Sequence, residues 1–211
     1  MERLIGLKST EYEHPADKAA LEKLRNSTVF KTLMTEFIHQ GVERIYRIQY
    51  TGSSLKIKKQ DYPEIYKALE NAGAALGMQK LPALYLQYYY AINAFTTGKK
   101  EPLVVVYSGT IDLLEEDELQ YIIGHELGHI LSDHVLYHMM VQGLVDSINL
   151  PAKDLIELPL YYWSRMSELT ADRAGLLACQ DLNTAIRAMI KMAGLPQSQY
   201  DKINVQAFID Q

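Results

Sequence analysis

Two histidines and a glutamate stand inside a stretch that otherwise reads as a half-buried helix: "LQYIIGHELGHILSDH", Leu119 to His134. No other feature constrains this chain as tightly. On an α-helix, residues i and i+4 share a face and lie about 6 Å apart along the axis. His125 and His129 can therefore place two imidazole nitrogens on one ion, a geometry that suits Zn²⁺. Glu126 sits next to the first of them, where it can accept a proton from a water beside the ion. That combination is the machinery for hydrolysing a peptide bond. The competing reading is structural: three polar residues on a half-buried helix, with the histidines bonded to neighbours. Gly124 and Gly128 bear on this. Each costs about 1 kcal/mol of helix propensity relative to Ala, which makes sense if something must approach this helix closely.

A catalytic zinc ordinarily has three protein ligands and one open position, so a third donor is needed. The pattern HExxHxxGxxH would require Gly at 132 and His at 135, where the chain has Ser132 and Val135. The helix is expected to start near Asp117, behind acidic residues suited to its positive end, and to run to about Gly143. On such a helix His134 lies about 140° further round than His129 and points away. His138 returns to the motif face two turns beyond His129, too far for the same ion. Further downstream, "SRMSELTADRAG" puts Glu168 and Asp172 four apart on one helix face. Glu168 can supply a carboxylate oxygen. Asp172 can accept a hydrogen bond from the far nitrogen of a ligand histidine and so fix its tautomer. Taken alone, with Arg165 and Arg173 nearby, the same pair is what a solvated helix looks like.

The rest of the chain reads as helices around a few strands. A helical pattern runs from Pro15 to about Gln40. "VERIYRIQYTG" suggests a strand, Gly52 to Ser54 a turn, and "SLKIKKQ" a returning strand whose lysines mark a solvated edge. "DYPEIYKALENAGAALG" predicts a helix entered through Pro63 and closed by Gly77. "ALYLQYY" and the almost wholly apolar "PLVVVYS" read as strands. "PAKDLIELPLYYWSRMSELTADRAGLLAC" predicts a short helix and, after Pro159, a longer one. "LNTAIRAMIKMAG" predicts a helix closing at Gly194, and "YDKINVQAFID" a last one. The fold class is α+β, mostly helical.

The net charge of −5 argues against a nucleic-acid surface, and the single cysteine, Cys179, excludes an intramolecular disulfide. No stretch offers the roughly 20 apolar residues a membrane span needs, and the first residues lack the apolar core of a signal peptide. A cytoplasmic protein with no membrane span and no nucleic-acid partner is expected.

Together these stretches resemble the gluzincin class of zinc peptidases. Within it they are similar to the HtpX-like family, which includes the CAAX prenyl-protein peptidases and soluble members. "HELGH" with "SELTAD" carries the resemblance. "NAFTTG" (Asn93 to Gly98), "PLVVVYSGTIDLLEEDELQYIIGHELGHILSDH" and "SRMSELTADRAG" extend it over roughly Tyr62 to Cys179, a little over half the chain. The resemblance implies a zincin-like fold with a small twisted sheet over the motif helix. It implies one zinc ion per chain on His125, His129 and Glu168, Glu126 as general base, and Asp172 as the partner of His125. It also implies a polypeptide substrate added as a further strand along an edge strand at Leu103 to Tyr107, with Val105 and Tyr107 as contacts. Asn93 holds substrate or the strand above it, or is simply a turn asparagine.

Residues 1–58 are expected to form a helix-and-hairpin extension, as stabiliser, latency cover or partner site, and residues 59–211 the metallopeptidase domain with its C-terminal helices. Membrane members of the family carry a transmembrane hairpin between the two motif helices. Here that interval, "VQGLVDSINLPAKDLIELPLYYWSRM", is interrupted by Asp146, Lys153, Asp154 and Glu157 and cannot span a bilayer. It forms either a lid, with Tyr161, Tyr162 and Trp163 at its base, or part of the core. The oxyanion donor stays open among Tyr107, Tyr161, Tyr162, His138 and Arg165. The expected function is a zinc-dependent endopeptidase acting on unfolded or flexible polypeptides. The rivals are a latent form of that enzyme and a non-cleaving chaperone-like or regulatory protein on the same fold.

Overall fold

The structure, a computed structural model, describes residues 4, 6–39, 41–147, 153–194, 199, 202, 204 and 206. Four helices come first: α1 (Ser9–Tyr12), α2 (Pro15–Asn26), α3 (Thr28–His39) and α4 (Val42–Ser53). Then follow β1 (Leu55–Ile57), α5 (Pro63–Ala75), β2 (Ala83–Gln87), β3 (Ala94–Thr97) and β4 (Leu103–Tyr107). The chain continues through α6 (Ser108–Leu113), α7 (Glu116–Leu131), α8 (Val135–Ser147), α9 (Lys153–Cys179) and α10 (Leu182–Met192). The α+β class, mostly helical with a small sheet, is as expected. The last helix predicted from "YDKINVQAFID" lies largely outside the described residues.

The sheet order is β1-β2-β4-β3. β4 runs parallel to β2 and antiparallel to β3. Val104 and Val106 face a core built with Leu69 and Ala72 of α5 and Ile123 and Leu127 of α7. Leu103 and Val105 face the other way, yet they are buried too, beneath Tyr50 of α4. A strand covered on both faces has no reason to alternate, which explains "LVVVY".

This placement corrects the expected docking edge. β4 has a partner on each side, so Val105 and Tyr107 have no free backbone edge to offer a substrate. The edge strands are β1 and β3.

Residues 42–53, expected as the first strand of a hairpin, are helical. Val42, Tyr46 and Tyr50 recur every four residues. The first two pack on the α2–α3–α8–α9 core and the third on the outer sheet face. Tyr50 lies 4.8 Å, ring to ring, from Phe95. β-branched and aromatic residues prefer strands only weakly, and packing overrode that preference. The predicted return strand survives as β1, which pairs with β2.

The motif helix also ends sooner than its apolar pattern suggested. Asp133 adopts φ 59°, a left-handed conformation that a short polar side chain tolerates, and α7 stops at Leu131. α8 then sets off in a new direction. α9, by contrast, runs through Pro159 rather than starting after it. Ile156, Leu160 and Trp163 bury along one of its faces.

At its start α7 is closed by a capping box. Glu118 accepts from the Glu115 backbone N–H at 2.9 Å and from Lys191 Nζ of α10 at 2.6 Å. Along its length it packs closely on α9. A Cβ at Gly128 would come within 2.5 Å of Ala174 Cβ, and one at Gly124 would collide with Ala178. The two glycines let α9 approach the motif helix, and α9 carries Glu168 and Asp172. Gly128→Ala is therefore expected to cost about 1–3 kcal/mol by overpacking, although Ala is the better helix former by about 1 kcal/mol. The denaturation midpoint measures this, and a variant as stable as its parent would mean that the two helices part freely.

Candidate active site

α7, α9, β3 and α8 surround a cleft of about 600 Å³. α7 contributes His125, Glu126 and His129 from one face, as its period dictates, and α9 brings Glu168 and Asp172 to the same place. His125 Nε2 and His129 Nε2 face one another at 3.2 Å. Glu168 Oε2 is 3.2 Å from His125 Nε2, and Glu168 Oε1 is 3.6 Å from His129 Nε2. A tetrahedral ion with bonds of about 2.0–2.2 Å sets donor–donor edges of about 3.3–3.6 Å. Two nitrogens and a carboxylate at these separations fit a zinc ion. Asp172 Oδ1 lies 3.0 Å from His125 Nδ1 and also accepts from Tyr121 O–H at 3.0 Å. That pairing directs Nδ1–H to Asp172 and turns Nε2, the nitrogen that could hold an ion, toward Glu168 and His129.

The electrostatics follow from this crowding. Burial opposes charge on His125, but the Asp172 and Glu168 carboxylates outweigh it and push the imidazole up to about 10. Burial among three other histidines holds His129 well below its ordinary value. Burial raises Glu168, but His125 beside it wins and lowers it. Glu126 is only 6% exposed. Burial pushes its carboxyl up, and the opposing pull of His125 and Thr96 is smaller. Thr96 of β3 donates its hydroxyl to Glu126 Oε2 at 2.8 Å, tying the carboxylate to the strand.

Asn93 lines the cleft, but its Oδ1 accepts from the Ala94 N–H at 3.0 Å, and its backbone N–H and carbonyl both bond Thr110 Oγ1 at 2.7 Å. It does what a turn asparagine does. Val105 is fully buried, and Tyr107 packs on Tyr89 and Phe95; both sit on the outer sheet face, away from the cleft. Asn93, Ala94, Phe95 and Thr96, leading into and along edge strand β3, line it instead.

His134 and His138 break the sequence expectation because α7 is not continuous with α8. After the turn at Asp133, His138 lines the cleft, its ring 4.7 Å from that of His129. His134 Nδ1 lies 3.2 Å from His129 Nδ1. Of the oxyanion candidates only His138 reaches the cleft. Its Nε2 is 2.9 Å from Ser167 Oγ, whose own hydrogen goes to the Ser164 carbonyl, so the His138 N–H is directed to Ser167. Burial pushes His138 down to about 4. Tyr161 and Tyr162 are exposed, and Trp163 is core. His129, His134 and His138 could also gather around an ion, but His134 is fully buried and already lies between His129 and Asp17. Thr96 and Asp17 carry no signal in the sequence for the site, and His134 is placed there on the far side of a continuous helix. The "SD" before His134, a helix-stop signal, was the one available hint.

A model of peptidase family M48 matches residues 59–209. The chain belongs to peptidase family M48. This M48 chain is 31% identical over 214 residues to the plastoglobule-localized metallopeptidase 48 of Arabidopsis thaliana, across 97% of this chain and 62% of that protein. It is 32% identical over 97 residues to a protease HtpX homolog of Tropheryma whipplei, across 45% of this chain and 33% of the other. A protease HtpX homolog of Dictyoglomus thermophilum is 29% identical over 146 residues, across 67% and 48%. The chain thus spans less than two thirds of the length of each of these relatives. The HtpX-like resemblance read from the motifs stands. The name of the Arabidopsis relative places that protein at chloroplast plastoglobules, so it lends no support to the cytoplasmic location expected here. Among the described residues no helix is long and apolar enough to cross a membrane.

Proposed function

We propose that this chain is a zinc-dependent endopeptidase of zincin-like fold that cleaves unfolded or flexible polypeptides. One observation carries the reading: His125 Nε2, His129 Nε2 and the Glu168 carboxylate converge in the cleft where Glu126 is held by Thr96 of an edge strand. His125, His129 and Glu168 would hold the ion. When bound, zinc supplies a Lewis acid that makes water more acidic and polarises a carbonyl.

The residues of the chain do the rest. Asp172 fixes His125 in the tautomer that leaves Nε2 free. Glu126 takes the proton of the attacking water and returns it to the leaving amine. Burial favours its protonated form, which suits a carboxylate that must accept a proton and then release it. β3, paired on one side only among the described residues, offers its backbone to an extended substrate beside Glu126. Pairing through main-chain hydrogen bonds accepts many sequences but only an extended chain, hence the expectation of unfolded or flexible substrates.

The direct test is incubation of zinc-loaded protein with unfolded casein, followed by mass spectrometry of the fragments. Internal cleavage that stops with a chelator and returns with added zinc is expected. Intact casein after long incubation with protein of verified zinc content would sink the proposal.

A further inference from the structure

We infer that Asp17 and His134 form a positioning relay for His129, which makes the N-terminal helix α2 part of the metal site. The inference rests on the proposed zinc reading. Asp17 and His134 are both fully buried. His134 Nδ1 is 3.2 Å from His129 Nδ1, and His134 Nε2 is 3.1 Å from Asp17 Oδ2. Among the described residues that Nε2 faces no other polar group than Asp17.

The proton positions follow from the donor set. His129 turns Nε2 toward His125 and Glu168, so its hydrogen is on Nδ1 and is donated to His134 Nδ1. His134 must then carry its own hydrogen on Nε2, which faces Asp17. Asp17 is suited to end the chain as an anion. It accepts Trp163 Nε1–H at 2.9 Å and Thr170 O–H at 2.5 Å. Burial disfavours its charge, but His134 and these two donors outweigh burial and hold the carboxyl below its usual range. A ligand histidine oriented through its far nitrogen by an acceptor is the general pattern at metal sites. For His125 the acceptor is Asp172, from the α9 helix. For His129 it is a second imidazole, backed by a carboxylate from a helix outside residues 59–209, the part matched by the family model.

α9 also clasps the segment that carries Asp17. The His14 N–H donates to Thr170 Oγ1 at 3.0 Å, and Arg173 donates to the Tyr12 carbonyl at 3.2 Å. Docking of α2 and occupancy of the metal site are therefore coupled, and the coupling runs both ways.

The test is zinc competition between the full chain and a chelator of known affinity. Asp17→Asn removes the charge, and His134→Phe keeps a ring against Trp163 but removes both nitrogens. Each is expected to weaken zinc binding about 10–100-fold, the usual effect of losing an outer partner. Arg173→Met loosens the same segment without touching the relay, so through this coupling it should weaken zinc binding, but by less than either relay substitution. A second readout needs no variant. Zinc should slow hydrogen exchange at α2 amides of the wild-type chain beyond any slowing at α10. Folded Asp17→Asn and His134→Phe proteins with wild-type affinity would overturn the relay, as would α2 amides indifferent to zinc. A wild-type chain that takes up no zinc would overturn the metal reading and this inference with it.

Discussion

Replacing Glu126 with Gln is expected to lower kcat on unfolded casein by about 10²–10⁴-fold, the usual contribution of a positioned general base, while zinc binding is retained. The side chain does not reach into the His125–His129–Glu168 cluster as a ligand in this arrangement; it is held back by Thr96 at 2.8 Å. Gln fills the same space and can still accept that hydroxyl, so the fold and the ligands stay in place. What it loses is the ability to carry a proton from the attacking water to the leaving amine. Metal content and kcat measured on one preparation separate the two roles. A Gln variant that cleaves within about threefold of wild type would remove Glu126 as the base.

The second large effect is expected at Glu168. Its two oxygens approach both His125 and His129, at 3.2 Å and 3.6 Å. Glu168→Ala leaves two imidazoles and no anionic donor. The loss of zinc affinity should exceed the roughly 100-fold upper range for losing an outer partner, with activity falling in parallel. The metal-free fold should change little, because the Glu168 side chain is 46% exposed. Undiminished zinc after dialysis would take Glu168 off the ligand list and leave His129, His134 and His138 as the grouping to test.

Glu126 and Glu168 differ in how far each could be read before the structure. The relation of Glu126 to His125 and His129 is set inside two turns of one helix, and a helix of 3.6 residues per turn leaves little freedom. The approach of Glu168 depends on two helices meeting, and the sequence carried only an indirect sign of it, the small residues Gly124 and Gly128. Those glycines do admit α9. His134 and His138 were misplaced because one residue, Asp133, takes a left-handed conformation and redirects everything after it. The apolar pattern of "ILSDHVLYHMM" gives no warning of that, since both α7 and α8 bury apolar faces.

What could be read from the residues alone is the α+β class, the helical state and start of the motif helix, β2 and β4 as strands, and the shared face of His125, Glu126 and His129. All of these rest on periodicities and capping signals that span fewer than 20 residues, where local geometry is decisive. Packing across the whole chain settles the rest: among the described residues β4 is an interior strand and β3 an edge, residues 42–53 are helical, and a carboxylate at position 17 backs a histidine at 134. Strand order and the meeting of distant side chains depend on which buried faces fit together across the whole chain. No local pattern encodes that.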